Sequence, residues 1–266
     1  MSADIVTLTI EGGIARIALN DPDRRNGLSP ELVVALVERL NEADRAPDVR
    51  CAILHANGPA FSAGGNLKRM IAPGSYPDMT PLEVRDSFVD GIQRIATAFA
   101  ALSVPVIAAV GGPAIGAGTD LACMCDLRIG SERASFVSSF VRLGLIPGDG
   151  GAWFLPRAIG RARAAEMILT GAAVDAEQAL AWGLISALVP HESLLDEALA
   201  RAELIAAHPP HAPRMAKRLL RESADAPLGT ALELAAAMQA LALKTGDQRE
   251  AVLAMLEKRA PDYAGR

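Results

Sequence analysis

Three features of the sequence predict an α/β fold. Short apolar runs at Cys51–Leu54 and Val104–Val110 have the pattern of strands buried on both faces. Each run leads into a glycine-rich stretch and then a helix start, at Phe61–Leu67 and at Val110–Cys123. A helical stretch from about Leu82 to Ala101 separates the two copies, so the order strand, glycine turn, helix repeats along the chain.

The other elements follow in order. Ile5–Ile10 and Ile14–Leu19 alternate apolar and polar residues around Gly12-Gly13, which predicts a hairpin. Ser29 followed by Pro30, with apolar residues at Leu32, Val33, Leu36, Val37 and Leu40, predicts an N-capped amphipathic helix ending near Asp44. Beyond Leu188-Val189 the sequence turns to Ala, Leu, Glu and Arg at helical spacing, broken at Pro209-Pro210 and near Ala226-Pro227. This divides the chain into a core, residues 1–190, and a helical part, residues 191–266. Leu228–Leu243 is apolar on more than one face, so it packs either under the core or against another subunit.

With 266 residues, 51% of them hydrophobic, the chain can bury a substantial core. A net charge of -5 gives no general attraction to nucleic acid or to an anionic membrane. Any anionic ligand must be held by a local cluster of cations. Three cysteines, Cys51, Cys123 and Cys125, make no disulfide framework and suit a reducing compartment. No histidine lies near Cys123 and Cys125 in sequence to complete a tetrahedral set, so no metal site is expected. The N-terminus lacks a basic region followed by an apolar core, and no apolar run reaches the roughly eighteen residues of a membrane span. A cytoplasmic protein without a membrane or nucleic-acid partner is expected.

The chemistry lies in the glycine turns. In Gly111-Gly-Pro-Ala-Ile-Gly116-Ala-Gly-Thr-Asp120 an apolar strand meets small residues and a helix start, leaving backbone N–H groups that no side chain covers. The glycine spacing fits neither a dinucleotide fingerprint nor a phosphate loop. Phe61-Ser-Ala-Gly-Gly-Asn66 has the same form, and two such sets of donors can make an oxyanion hole. Asp120, one helical turn past Ala117 in an apolar segment, is a partly desolvated carboxylate suited to general acid/base work, unless it merely bonds nearby backbone. Asp149, in Pro147-Gly-Asp-Gly-Gly151, is either a second carboxylate or a turn residue.

Those blocks, together with Phe136–Gly151, Leu155-Pro-Arg157, Ala176–Ala179 and Trp182–Ile185, resemble the enoyl-CoA hydratase/isomerase (crotonase) superfamily nearly end to end. The resemblance implies a crotonase-like spiral of strand-strand-helix repeats with a C-terminal helical domain. It also implies an acyl-CoA thioester as substrate, no cofactor beyond the coenzyme A of that substrate, and a homotrimer or dimer of trimers. By the same resemblance the N–H groups of Ala63 and Ala117 hold the thioester carbonyl. Asp120 aligns with the first catalytic glutamate of the hydratases, and some isomerases carry aspartate there. The second glutamate is replaced by Phe140. Family members that place a catalytic aspartate in the following loop usually do so at the residue matching Gly148, one before Asp149. Arg24, Arg25, Gly64, Gly65, Asn66, Lys68, Gly116, Phe140 and Lys258 fall at substrate-lining positions. The leading expectation is hydration of a 2-enoyl-CoA using Asp120 and Asp149, with double-bond isomerisation using one carboxylate, or acyl-CoA binding without catalysis, as the alternatives.

Overall fold

The chain begins with the expected hairpin. In the computed structural model, which describes residues 4–265, β1 (Val6–Glu11) and β2 (Ile14–Leu19) pair antiparallel. Gly12 and Gly13 turn the chain at φ 58° and 79°, where a Cβ would be penalised. The helix α1 (Pro30–Arg45) starts where the Ser29 hydroxyl accepts the Leu32 N–H, and it buries Leu32, Val33, Leu36, Val37, Leu40 and Ala43 on one stripe.

Next come β3 (Cys51–Ala56), the short α2 (Leu67–Met70), α3 (Pro81–Val89), α4 (Gln93–Ala101), β4 (Val106–Val110), β5 (Pro113–Ile115) and α5 (Ala117–Met124). The expected single helix from Leu82 to Ala101 is thus two. It breaks around Gly91, where a Cβ would lie 2.3 Å from the Ser87 carbonyl oxygen. β6 (Leu127–Ser131), β7 (Ser135–Val137), α6 (Gly151–Ile159), α7 (Arg161–Thr170), β8 (Ala173–Asp175), α8 (Ala176–Trp182) and β9 (Ala187–Val189) complete the αβ part. Four helices follow: α9 (Leu194–Ala206), α10 (His211–Ser223), α11 (Leu228–Ala242) and α12 (Gly246–Glu257).

The main sheet has six strands in the order β1-β2-β3-β4-β6-β9, parallel from β2 onward. A small sheet, β5-β7-β8, stands beside it. Parallel strands need helical crossovers, and their side chains are covered on both faces. One face packs into the core that contains α1, α4, α5 and α6. The other, with Ile14, Cys51, Ile53, Ile107 and Ile129, is covered by Leu194, Ala198, Ala202 and Ala206 of α9. This moves the expected boundary at residue 190: α9 belongs to the core, and the helical extension begins with α10.

That extension docks through polar groups. Arg214, Lys217 and Arg221 share one face of α10 at helical spacing. The Arg214 guanidinium donates to Asp44, Ser103 and the Val49 carbonyl, and Lys217 donates to Asp126 and the Val104 carbonyl. Leu228, Leu232 and Leu241 of α11 remain exposed. Among the described residues no helix is long and apolar enough to cross a membrane, and no cluster of three metal-ligating side chains occurs.

Candidate active site

The first glycine turn is pinned from two sides. The N–H groups of Phe61 and Ser62 donate to the Pro113 carbonyl at 3.0 and 3.2 Å, and the Ile115 N–H donates to the Ser62 carbonyl at 2.9 Å. On the opposite side the Leu28 N–H donates to the Gly64 carbonyl (2.8 Å) and the Ser62 hydroxyl to the Asn26 carbonyl (2.7 Å). Asn26 is fully buried and holds this segment in place, its amide donating to the carbonyls of Asn57 and Ala60.

This pairing decides which donors are free. The Ala63 N–H donates to the Arg25 carbonyl at 2.9 Å. It is therefore committed to the backbone and unavailable to a thioester, which corrects the assignment of Ala63 as an oxyanion donor. Two residues on, Gly65 is exposed, and its N–H meets no acceptor among the described residues. Gly64 is where the two turns touch: it sits at φ 73°, and a Cβ there would lie 2.3 Å from the Ile115 oxygen and 3.2 Å from the Ala117 nitrogen.

The second turn carries the other donors. Gly116 adopts φ 55°, ψ -120°, a conformation closed to side-chain-bearing residues, and so starts α5 at a sharp angle. The N–H groups of Thr119 and Asp120 bond the Gly116 carbonyl, whereas those of Ala117 and Gly118 have no acceptor among the described residues. Free N–H groups at a helix N-terminus favour a negative charge beside them.

Asp120 and Asp149 are brought together. Both are buried, at 0% and 4% exposure, and neither oxygen of Asp120 nor Oδ1 of Asp149 has a protein donor. As two carboxylates they offer each other only acceptors, so they can bond only by sharing a proton. Burial first, and then the Asp149 charge, push the Asp120 carboxyl well above the usual range. Burial raises Asp149 as well, while its hydrogen bond with Asp120 and the Gly151 amide pull the other way. Asp120 is thus the proton holder and Asp149 the more readily ionised partner.

The packing assigns the two carboxyls different places. A narrow apolar crevice, too tight in this structure to admit a water molecule, is lined by Leu28, Ile92, Ile95, Ala117, Leu121, Met124 and Asp149. Asp149 faces this crevice beside Ala117, and Asp120 stands behind it. Gly151, which the sequence did not single out, makes the arrangement possible: a Cβ there would lie 2.2 Å from both Asp120 oxygens. The Gly150-Gly151 pair after Asp149 was its one visible signal.

The remaining candidates are scattered. The Phe140 ring lies 3.7 Å from where a Gly116 Cβ would be, so an apolar face borders the second turn. Arg24 is exposed and pairs with Asp21 at 3.5 Å. Arg25 and Lys68 are exposed on the chain flanking the first turn. The Asn66 side-chain oxygen caps α2 by accepting the Lys68 and Arg69 N–H groups. Lys258 ends α12 at φ 56° with no hydrogen bond to either turn among the described residues.

The chain as a whole has counterparts among known proteins. Over 259 residues, 97% of each chain, this sequence is 38% identical to the 1,2-epoxyphenylacetyl-CoA isomerase of Escherichia coli. Over 250 residues, 94% of each, it is 33% identical to the 2,3-dehydroadipyl-CoA hydratase of the same organism. The crystal structure of an enoyl-CoA hydratase from Bacillus anthracis superposes with a TM-score of 0.90 at 34% identity, covering 98% of this chain and all of that one. The sequence profile described as enoyl-CoA hydratase/isomerase matches residues 9–266, and with it the chain belongs to that family of acyl-CoA enzymes within the crotonase superfamily.

Proposed function

We propose that this enzyme isomerises the double bond of an unsaturated acyl-CoA, moving a proton between carbons of the acyl group. The single observation that carries this reading is the Asp120–Asp149 pair: two buried carboxyls whose oxygens lack donors, one of them facing an apolar crevice. In this reading the thioester oxygen accepts the N–H groups of Ala117 and Gly65, which stabilises the dienolate formed when a proton leaves. Asp149 removes that proton from the carbon next to the double bond. The protonated Asp120 keeps the pair from carrying two charges, and the Asp149 acid returns the proton farther along the conjugated system. Its raised pKa brings the base nearer to that of a carbon acid. The apolar crevice and Phe140 leave little polar surface to hold a nucleophilic water.

Hydration is the second reading, favoured by the hydratase named among the relatives. The test follows both reactions separately. Purified enzyme is given a β,γ-unsaturated and an α,β-unsaturated acyl-CoA, and bond migration and water addition are measured in deuterated buffer. Bond migration that outpaces water addition supports isomerisation. Water addition that outpaces migration, lost on Asp149→Asn, makes the enzyme a hydratase.

The exposed Leu228, Leu232, Leu241, Met255 and Leu256 on α11 and α12 support assembly into a homotrimer or a dimer of trimers. A monomer by light scattering at micromolar concentration would overturn this.

A further inference from the structure

The acid-bearing loop is held from outside the crevice by α4. The Gln93 side-chain amide donates to the Gly148 carbonyl at 2.7 Å, across 55 residues of sequence. That carbonyl belongs to the peptide entering Asp149, so the bond fixes the plane from which the Asp149 side chain projects. The Phe88 ring of α3 closes the same spot: a Cβ on Gly148 would lie 3.3 Å from its nearest ring carbon. One residue past Asp149, a Cβ on Gly150 would lie 3.2 Å from the Ala96 methyl of α4. The loop thus rests on α3 and α4 at both ends of Asp149. Ile92, the cap residue just before α4, and Ile95 on it line the crevice itself.

We infer that Gln93 is a positioning residue for the reaction: through the Gly148 carbonyl it holds Asp149 against Asp120 and aims it into the crevice. The inference rests on Asp149 acting as the base. Gln93 reaches no reacting atom; it acts on the peptide that carries one. The titratable side chain acting on Asp149 is Asp120 of α5, while α4 with its cap residue presents Gln93, Ile92 and Ile95, and α6 presents the Gly151 peptide. Without the amide donor the loop relaxes and the two carboxyls separate, so their coupling weakens.

The experiment compares Gln93→Met, which keeps the volume and loses the donor, with Gln93→Lys, which keeps a donor of similar reach, and with Asp149→Asn. In Gln93→Met, kcat falls about ten- to a hundredfold, the cost of a base misplaced by an ångström or less. KM stays within about twofold, since no substrate contact is lost. The acidic limb of its pH–rate profile moves to lower pH, because separated carboxyls titrate closer to the ordinary carboxylate value. Gln93→Lys recovers the rate, while its added positive charge by itself keeps the acidic limb low. Thermal unfolding of each variant reports whether it is folded; should Gln93→Met fail to fold, Gln93→Glu, of the same shape but facing the carbonyl with an acceptor, replaces it. A Gln93→Met enzyme with wild-type kcat and an unmoved profile overturns the inference while Asp149→Asn is dead. A fully active Asp149→Asn enzyme overturns instead the assignment of the base.

Discussion

Two buried aspartate sites in this chain answer the same problem in opposite ways. Asp247, at the start of α12, is 2% exposed and accepts the N–H groups of Ala264 at 2.8 Å and Gly265 at 2.9 Å. Asp120 is just as buried, yet both of its oxygens lack a hydrogen-bond partner, and after burial itself the group that acts on it most is another carboxyl. A buried carboxylate with two backbone donors is a fastener: it pins the C-terminal segment to α12. One without donors destabilises the fold, which is why Asp120 is assigned a part in the proposed proton transfer. Burial does not distinguish the two aspartates. Hydrogen-bond satisfaction does.

The comparison breaks first at Asp149. Asp149→Asn removes the base while nearly keeping its shape, so turnover should fall about 10²–10⁴-fold with acyl-CoA affinity little changed. Single-turnover kinetics with titration of a non-reactive acyl-CoA separates the two. An enzyme retaining most of its rate would leave the pair as a structural oddity. Gly151→Ala sharpens the same point, because the new methyl would collide with the Asp120 carboxyl. It should cost about tenfold or more in kcat by displacing the pair, and about 1–3 kcal/mol of stability through overpacking. Asp247→Ala acts only on the fastener. Two backbone donors lose their acceptor, a loss of about 1–3 kcal/mol, read as a lower Tm with the pH–rate profile unmoved.

The sequence showed the turns but not their wiring. The hairpin, the Ser29 cap and both glycine turns follow from local rules: residue preference, spacing and the steric freedom of glycine. That Ala63 is committed and Gly65 free depends on Arg25–Leu28 lying along the first turn, a pairing between segments far apart in the chain. The order of the two aspartates, Asp149 facing the crevice and Asp120 behind it, comes from packing α6 against α5 with Gly151 at the contact. Gln93 has no sequence signature, since a glutamine on a helix is ordinary until a partner carbonyl is placed beside it. The C-terminal boundary went unread for a related reason. Residues 194–206 have helical spacing like those after them, and only the small alanines that fit against the sheet distinguish α9 as core.

The smallest effect separates the two sites most cleanly, because it appears in stability rather than in rate. The folded-state pKa of Asp120 lies above its unfolded value, so folding favours the protonated acid. The stability this contributes is full below the unfolded value, near pH 3.9, and is lost as pH rises through the folded value. An asparagine at this position does not titrate and brings no buried charge. Asp120→Asn should therefore unfold at a higher temperature than the wild type at pH 8, with an advantage that shrinks toward pH 5. Turnover survives in part, because a neutral asparagine, like the protonated acid, leaves Asp149 as the base. Asp247→Asn should behave oppositely, because the amide replaces one of the two acceptor oxygens with a donor facing a backbone N–H, so the variant is less stable than the wild type. Calorimetry of the three proteins at the two pH values measures this directly. A wild-type advantage over Asp120→Asn that grows with pH would mean that the Asp120 carboxylate is stabilised where the fold gives it no donor.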